Sequence, residues 1–211
     1  DTEVILKAYD FWKEDLLERL EGMFSFAIHD PVKNNIFFAR DRAGEKPLFY
    51  LHNKKSFYLC SEIKPIHNDS GKKDLSIDGL NHFFENGFTS KDISMIDGIK
   101  KLKPGHQAVL DINTLKIDIK RYWNLDKQII KPLKNIKKQN IYYVEKLELL
   151  LENAVKKQLV ADVPVGLMLS GGVDSSLIVA TASKYFDKLN TYTVTFPDLQ
   201  KYDESKHAQL I

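Results

Sequence analysis

Residues 170–176 constrain the fold of this chain more than any other segment, because they join an apolar run to a helical pattern. Residues 163–169 precede them as a nearly continuous apolar run, and residues 175–186 follow with helical spacing. A short run of this kind is typical of a strand buried on both faces of a parallel sheet. Pro164 is tolerable there because it lies near the start of the strand. The order of strand, glycine-rich turn and helix predicts an α/β unit.

The sequence of this turn is Ser-Gly-Gly-Val-Asp-Ser-Ser, which suits the binding of an anion. Gly171 and Gly172 can adopt positive φ and allow the backbone to approach a phosphate. The amides at the start of the following helix point at such an anion, and the helix dipole adds to the attraction. Three serine hydroxyls supply further donors: Ser170, Ser175 and Ser176.

Asp174 lies within the same turn, where a carboxylate cannot bind phosphate directly. Mg²⁺ usually binds through one or two carboxylates together with phosphate oxygens, so Asp174 is a candidate magnesium ligand. The G-x-x-x-x-G-K-[ST] pattern of the P-loop is absent. The alternative interpretation is a Gly-Gly turn followed by an Asp/Ser helix cap, which any α/β protein can contain.

The residues before position 127 follow a different pattern, in which helices alternate with short strands of period two. The sequence predicts helices over 3–20 and 76–86, and strands near 24–28, 35–40, 48–51, 57–60, 107–112 and 116–122. Phe83 and Phe84 are predicted to form the buried face of the second helix. We therefore expect an α+β part made of antiparallel sheets and helices, followed by the start of a doubly wound α/β domain with a parallel sheet.

Residues 127–140 separate the two patterns and are predicted to be a solvated linker. Five lysines, one proline and no acidic residue occur between Lys127 and Lys138. The predicted domains are therefore 1–126 and 141–211. After the linker the sequence predicts a helix over 141–159, a strand over 191–196 and a helix from Glu204 onward.

Composition excludes several classes of function. The 31 basic and 29 acidic residues nearly balance, so there is no electrostatic footprint for nucleic acid or an anionic membrane. No apolar run approaches the roughly 20 residues that a membrane-spanning helix needs. Cys60 is the single cysteine, which excludes a disulfide framework and is typical of a reducing, cytoplasmic environment.

Several motifs together resemble those of one enzyme family. The Ser-Gly-Gly-Val-Asp-Ser turn looks like the pyrophosphate loop, or PP-loop, of the ATP pyrophosphatases. The other matching segments lie at residues 20–27, 39–48, 61–64, 103–106 and 162–166. The chain is similar in this way to glutamine-hydrolysing asparagine synthetases, in which a class II glutamine amidotransferase of the Ntn-hydrolase type is fused to a synthetase of the ATP pyrophosphatase type.

The resemblance implies a reaction in two stages, with glutamine, aspartate and ATP as substrates. Glutamine is hydrolysed by an N-terminal cysteine, and the ammonia displaces AMP from an aspartyl adenylate in the second domain. Mg²⁺ accompanies ATP. This chain lacks the N-terminal cysteine and a second ATP-site loop, so the resemblance implies the middle of a longer enzyme with no catalytic residue of its own. Cys60 is interpreted as a small buried hydrophobic residue.

The resemblance also assigns binding roles to individual positions. Asp1 matches a carboxylate that binds the α-ammonium group of glutamine, although from sequence alone it is a helix N-cap. Leu169 and Val194 match positions that meet the adenosine of ATP, although by chemistry alone they are core strand residues. The remaining implied ATP-binding residues belong to the loop: Ser170, Gly171, Gly172, Asp174, Ser175 and Ser176.

Two further functions remain open at this point. A related adenylating enzyme, such as one similar to β-lactam synthetase, would use another acceptor. The 211 residues alone could also be a non-catalytic nucleotide-binding module. The sequence leaves the oligomeric state open, a homodimer included. The charged run Arg40, Asp41 and Arg42 is interpreted as a solvated hairpin end or a local ion-pair network.

Overall fold

The computed structural model describes residues 1–71, 74–89, 92–127, 140–196, 198–199 and 201–211. The chain divides into two compact units, Asp1–Ile130 and Lys131–Ile211. Most of the predicted linker, residues 127–140, lies outside the described residues, so the proposed domain limits remain predictions.

The first unit contains four α-helices and two antiparallel sheets in its described part. The helices are α1 (Thr2–Trp12), α2 (Leu16–Arg19), α3 (Ile63–Ser70) and α4 (Ile77–Asn86). The strands are β1 (Ser25–Asp30), β2 (Asn35–Arg40), β3 (Phe49–His52), β4 (Phe57–Cys60), β5 (Ile99–Lys101), β6 (His106–Asp111) and β7 (Ile117–Arg121). One sheet has the order β1-β2-β6-β7 and the other β4-β3-β5. Neither α3 nor β5 corresponds to a predicted element.

The two sheets pack against each other, with helices on their outer faces. Phe37 and Phe38 are consecutive in β2 and both fully buried, but they belong to different apolar clusters because neighbouring side chains of a strand point to opposite faces. Phe37 packs with residues of α1 and α2, whereas Phe38 packs between the two sheets. Ile66 of α3 covers the far face of the three-stranded sheet. The predicted α+β fold of antiparallel sheets and helices is confirmed.

The prediction of one continuous helix over residues 3–20 is wrong. A short 3₁₀ turn, Lys13–Asp15, separates α1 from α2. Lys13 has φ of 50°, a left-handed conformation that stops an α-helix, and its ammonium lies 5.1 Å from the centre of the Tyr9 ring. The break allows α2 to turn its own leucines into the core.

The predicted buried face of α4 is also wrong. Phe83 and Phe84 are 45% and 81% exposed, and Ile77 is 74% exposed. The helix is buried through Gly79 instead, where an added Cβ would collide with the carbonyl oxygen of Ser94. The backbone of α4 therefore approaches the neighbouring segment closely at a residue that has no side chain.

The second unit contains three helices and a parallel strand pair in its described part. The elements are α5 (Asn140–Gln158), β8 (Gly166–Met168), α6 (Val173–Ser183), β9 (Asn190–Tyr192) and α7 (Ser205–Ala208). β8 and β9 pair in parallel, with Leu167 opposite Thr191. A small core of Leu169, Val179 and Ala208 joins β8, α6 and α7. The predicted start of an α/β fold is confirmed.

The strand predicted over 163–169 is shorter and less buried than expected. Only Gly166–Met168 forms β8, and the side chains of Val163 and Met168 are 70% and 62% exposed. Among the described residues β8 pairs with one strand, β9, whereas an interior strand of a larger parallel sheet pairs along both edges and is covered on both faces. The strand predicted over 191–196 is likewise reduced to Asn190–Tyr192.

Candidate functional site

The glycine-serine loop, residues 170–176, lies between β8 and α6 as predicted from the sequence. Gly171 has φ of 81°, which side chains rarely tolerate. A Cβ added there would lie 2.5 Å from the carbonyl carbon of His207 and 2.6 Å from the nitrogen of Ala208. Glycine is therefore required twice at this position, by the backbone conformation and by the close approach of α7.

Gly172 does not share this requirement, and the expectation of positive φ at both glycines is wrong. Its φ of −71° and ψ of 160° are open to other residues. An added Cβ would meet only Ser170 Oγ, at 3.4 Å. Since Gly172 is the N-cap of α6, its lack of a side chain leaves the approach to the helix N-terminus open on that side.

Three serine hydroxyls surround the start of α6. The hydroxyls of Ser170 and Ser175 are hydrogen-bonded to each other at 3.0 Å, and Ser175 Oγ also donates to the carbonyl of Gly172 at 3.2 Å. The hydroxyl of Ser176 is buried, and among the described residues it has no hydrogen-bond partner. An unsatisfied buried hydroxyl is costly, so a further polar group is expected beside it.

Asp174 lies in the first turn of α6, and its side chain is exposed. The described residues contain no group of three or more His, Cys, Asp or Glu that could hold a metal ion by itself. A magnesium ion at Asp174 would therefore depend on oxygens from a bound molecule, which is how Mg²⁺ commonly accompanies phosphates. The loop offers both parts of such a site, a carboxylate and a set of anion-binding donors.

Leu169 and Val194 occupy different environments, although the resemblance assigned both to adenosine. The side chain of Leu169 belongs to the small core of the second unit. Its backbone N–H donates to the carbonyl of Tyr192 at 2.8 Å, and its carbonyl accepts from Thr193 Oγ1 at 2.7 Å. Val194 is 57% exposed just beyond β9. Their proposed contact with adenosine remains a prediction.

Asp1 is the N-cap of α1, as its position in the sequence suggests. Its carboxylate accepts from the backbone N–H of Thr2 at 2.6 Å. Asp1 also lines a pocket of about 280 Å³ at the start of β1, whose wall includes Phe24 and Phe26. Lys46 is the other charged residue in this lining. A cap and a ligand-facing carboxylate are therefore compatible at this position.

Asp41 is the residue of the first unit whose importance the sequence did not reveal. It is 1% exposed, so its interpretation as part of a solvated hairpin end is wrong. Its carboxylate accepts from the backbone N–H groups of four residues, at distances of 2.6–3.3 Å: Phe24, Gly44, Glu45 and Lys46. Two of these residues, Phe24 and Lys46, line the pocket beside Asp1.

The neighbouring arginines also bind the backbone. Arg40 donates to the carbonyls of Lys46, Leu102 and Gly44 at 2.6–2.8 Å. Arg42 donates to the carbonyl of Leu20 at 2.6 Å. The charged run therefore ties loops to one another through hydrogen bonds between its side chains and main-chain groups. The hydrogen-bond partners given for these side chains are main-chain groups, and the charge of Asp41 also favours the charged form of Arg40.

Cys60 ends β4 and packs against the cluster of Leu51, Ile66 and Ile99. It is partly buried and free. Its packing agrees with the interpretation as a small hydrophobic residue.

Comparison with protein families identifies the family of this chain. The family model described as the glutamine amidotransferase domain matches residues 1–123 of this chain. The chain belongs to the glutamine amidotransferase family. The model described as asparagine synthase matches residues 146–211 of the same chain. The order of the two matches is the order that the motifs indicated, so the resemblance to glutamine-hydrolysing asparagine synthetases is confirmed.

Individual relatives agree with this assignment. Asparagine synthetase [glutamine-hydrolyzing] 3 of Bacillus subtilis is 37% identical over 219 residues, which cover 99% of this chain and 34% of the relative. Asparagine synthetase [glutamine-hydrolyzing] 1 of the same organism is 30% identical over 196 residues, covering 93% of this chain and 30% of the relative. This chain therefore spans about a third of the length of these curated relatives. No helix among the described residues is long and apolar enough to cross a membrane.

Proposed function

We propose that this chain is part of an enzyme that makes asparagine from aspartate, glutamine and ATP, with release of AMP and pyrophosphate. The observation that carries the proposal is the loop over residues 170–176, whose donors and carboxylate converge at the N-terminus of α6, within the part that matches asparagine synthase. Residues 1–126 are proposed to be the C-terminal part of the glutamine amidotransferase domain and residues 141–211 the N-terminal part of the synthetase domain, joined by a linker over 127–140.

The loop is proposed to bind the pyrophosphate portion of ATP. The N-terminal amides of α6 offer donors to phosphate oxygens. The hydroxyls of Ser170 and Ser175 would join them by turning away from each other and from the carbonyl of Gly172. The buried hydroxyl of Ser176 would gain the partner that it lacks within the described part of the chain. Asp174 would hold Mg²⁺, whose charge offsets that of the phosphates. Leu169 and Val194 would meet the adenosine.

The chemical purpose of this binding is to activate a carboxylate. Aspartate is a poor electrophile until one oxygen of its side chain becomes part of a good leaving group. Transfer of AMP to that oxygen forms an aspartyl adenylate and releases pyrophosphate. Ammonia then attacks the acyl carbon, and AMP leaves with the oxygen.

The first unit is proposed to bind glutamine through Asp1. A carboxylate at the mouth of a pocket forms a charge-assisted hydrogen bond with an ammonium group, which is stronger than a bond between neutral groups. Asp41 fixes the backbone on two sides of this pocket, at Phe24 and Lys46. The nucleophile implied by the family, an N-terminal cysteine, is not Cys60, because Cys60 is held within a strand.

The test is pyrophosphate release by the complete enzyme, with aspartate and with ammonia supplied directly. Asp174→Asn keeps the shape of the side chain but removes its charge, and we expect the rate to fall by about 10²-fold or more. Gly172→Val should impair ATP binding further, because a branched side chain obstructs the approach to the helix N-terminus. Asp187→Asn is the matched control, since Asp187 is exposed beyond the end of α6.

Wild-type rates for both loop variants, with an unchanged circular dichroism spectrum, would show that the loop is only a capped turn. Pyrophosphate release that does not depend on aspartate would favour an adenylating enzyme with another acceptor. That outcome would leave the role of the loop intact and overturn only the assigned acceptor.

A further inference from the structure

A second pocket of the first unit has an excess of positive charge. It has a volume of about 210 Å³ and lies where β3, β5 and β6 meet, away from the residues that line the pocket of Asp1. The residues in its lining are Tyr50, Asp92, Lys101, Leu102, Lys103, His106 and Ile119. Its volume is below the roughly 300–1,000 Å³ of pockets for drug-sized ligands, so it suits a small molecule or ion.

Lys101 is the central feature of this pocket, because its ammonium is partly buried without a carboxylate partner among the described residues. Its Nζ donates to the carbonyl and the hydroxyl of Thr89, both at 2.6 Å, and both acceptors are neutral. Burial, together with repulsion by Arg40, lowers the pKa of Lys101. A charge in such a position is stabilised by an opposite charge brought close to it.

The surrounding groups compensate only part of the positive charge in the lining. Asp92 is the single acidic residue in the lining, and its carboxylate already lies 3.6 Å from Nζ of Lys103. The guanidinium of Arg40 is also close, since it donates to the carbonyl of Leu102 at 2.8 Å. The charge of Asp41 acts on Arg40 and offsets it. The two lysines of the lining, Lys101 and Lys103, therefore share the carboxylate of Asp92.

Tyr50 adds a hydrogen-bond donor to the same space. The residue is 8% exposed and its ring stacks on that of Phe57, which orients the side chain. Burial, followed by the nearby charge of Asp92, raises the pKa of Tyr50, so the phenol keeps its proton at neutral pH. Its hydroxyl donates no hydrogen bond to any other described residue, and it is available to an oxygen of a ligand.

We propose that this pocket binds a small oxyanion, a carboxylate or a phosphate, between Lys101 and Lys103 with the hydroxyl of Tyr50 as a further donor. Charge-assisted hydrogen bonds of ammonium groups to such oxygens are about twice as strong as neutral ones. The proposal concerns a site outside the loop at residues 170–176, and it does not depend on the proposed synthesis of asparagine.

The experiment is calorimetric titration of the 211-residue chain with inorganic phosphate and, separately, with acetate, at constant ionic strength. Lys101→Met keeps the length of the side chain and removes its charge, and we expect at least about tenfold weaker binding. Lys103→Met should weaken binding in the same direction, and Tyr50→Phe by a smaller factor. Lys100→Met is the matched control, because Lys100 is an exposed neighbour on the same strand.

Phosphate can also bind at the loop of the second unit, so the titrations are repeated in a Gly172→Val background. Binding of both anions supports a site for oxyanions in general. Binding of phosphate alone or acetate alone shows whether the ligand is a phosphate or a carboxylate. Affinity in Lys101→Met and Lys103→Met equal to that of the parent chain would overturn the proposal. The absence of any binding in the Gly172→Val background, with the fold intact, would overturn it as well.

Discussion

The Oδ2 atom of Asp41 accepts a hydrogen bond from the backbone N–H of Lys46 at 3.0 Å, in a place that water does not reach. Asp41→Ala would leave this N–H and three others without their acceptor. We expect the free energy of unfolding of the first unit to fall by about 3–5 kcal/mol, measured by urea denaturation. Asp41→Asn should cost less, because one side-chain oxygen remains to accept.

Asp118 provides the control for this measurement. Its side chain is 62% exposed and pairs with Lys120 at 2.7 Å on the surface of β7. Asp118→Asn should change the free energy of unfolding by no more than about 0.5 kcal/mol. Equal effects of Asp41→Ala and Asp118→Asn would contradict the structural role of Asp41.

The two glycines of the loop should respond differently to the same substitution. Gly171→Ala places a Cβ against the backbone of His207 at positive φ, and should destabilise the second unit by about 2 kcal/mol or more. Gly172→Ala meets neither obstacle and should change stability by no more than about 0.5 kcal/mol. Hydrogen exchange over residues 205–211 measures the difference. Unchanged protection there in Gly171→Ala would show that α7 does not rest on this glycine.

Two tyrosines of the first unit should make its stability fall in alkaline solution. Burial, with the hydrogen bond to Asp30, raises the pKa of Tyr9 to about 12, and burial raises that of Tyr122 to about 12. Their ordinary pKa is 10.0, so the folded state holds these protons more tightly than the unfolded state. The contribution to stability is complete below pH 10 and is lost as the pH rises towards 12.

Absorbance of phenolate near 295 nm is the measurement for these tyrosines. The difference in ionisation between the parent chain and Tyr9→Phe or Tyr122→Phe should centre near pH 12 for each residue. A difference centred near pH 10 would mean that these hydroxyls are hydrated in the folded protein.

Trypsin should cut first between Lys127 and Lys138, as the lysine-rich composition of the predicted linker indicates. Lys54 and Lys55 form the internal control, because they are exposed but lie in a turn held by Asn53. Oδ1 of Asn53 accepts from the backbone N–H of Lys55 at 2.8 Å, which opposes the local opening that cleavage requires. Earlier cleavage at residues 54–55 would place the domain boundary elsewhere.

Short apolar runs next to turn residues were predictable as strands from the sequence. The limits of β2 and β4 agree with the prediction at both ends. Turn residues precede β2, and both of its faces are apolar because each meets a different layer. The order of strand, loop and helix around residues 170–176 was also predictable, because it depends on residues that are adjacent in the sequence.

Features that depend on distant backbone atoms could not be predicted in this way. Asp41 accepts a hydrogen bond from the N–H of Phe24, and Arg40 donates one to the carbonyl of Leu102. Every residue has a backbone carbonyl, and nearly every residue has an N–H, so the sequence does not indicate which of these groups a side chain will bind. The buried side of α4 was missed because Gly79 makes its close contact without a side chain. The aromatic side chains of Phe83 and Phe84 gave a stronger but misleading signal.

The contact between Gly171 and His207 has a consequence for the synthesis of the protein on the ribosome. The anion loop is continuous in sequence, yet the backbone that supports it at Gly171 belongs to α7, far downstream. A nascent chain that has emerged only as far as α6 carries the whole loop sequence without that support. A contact between distant residues forms only after the chain between them has been synthesised. The loop therefore reaches its final shape only once Ala208 has emerged from the ribosome.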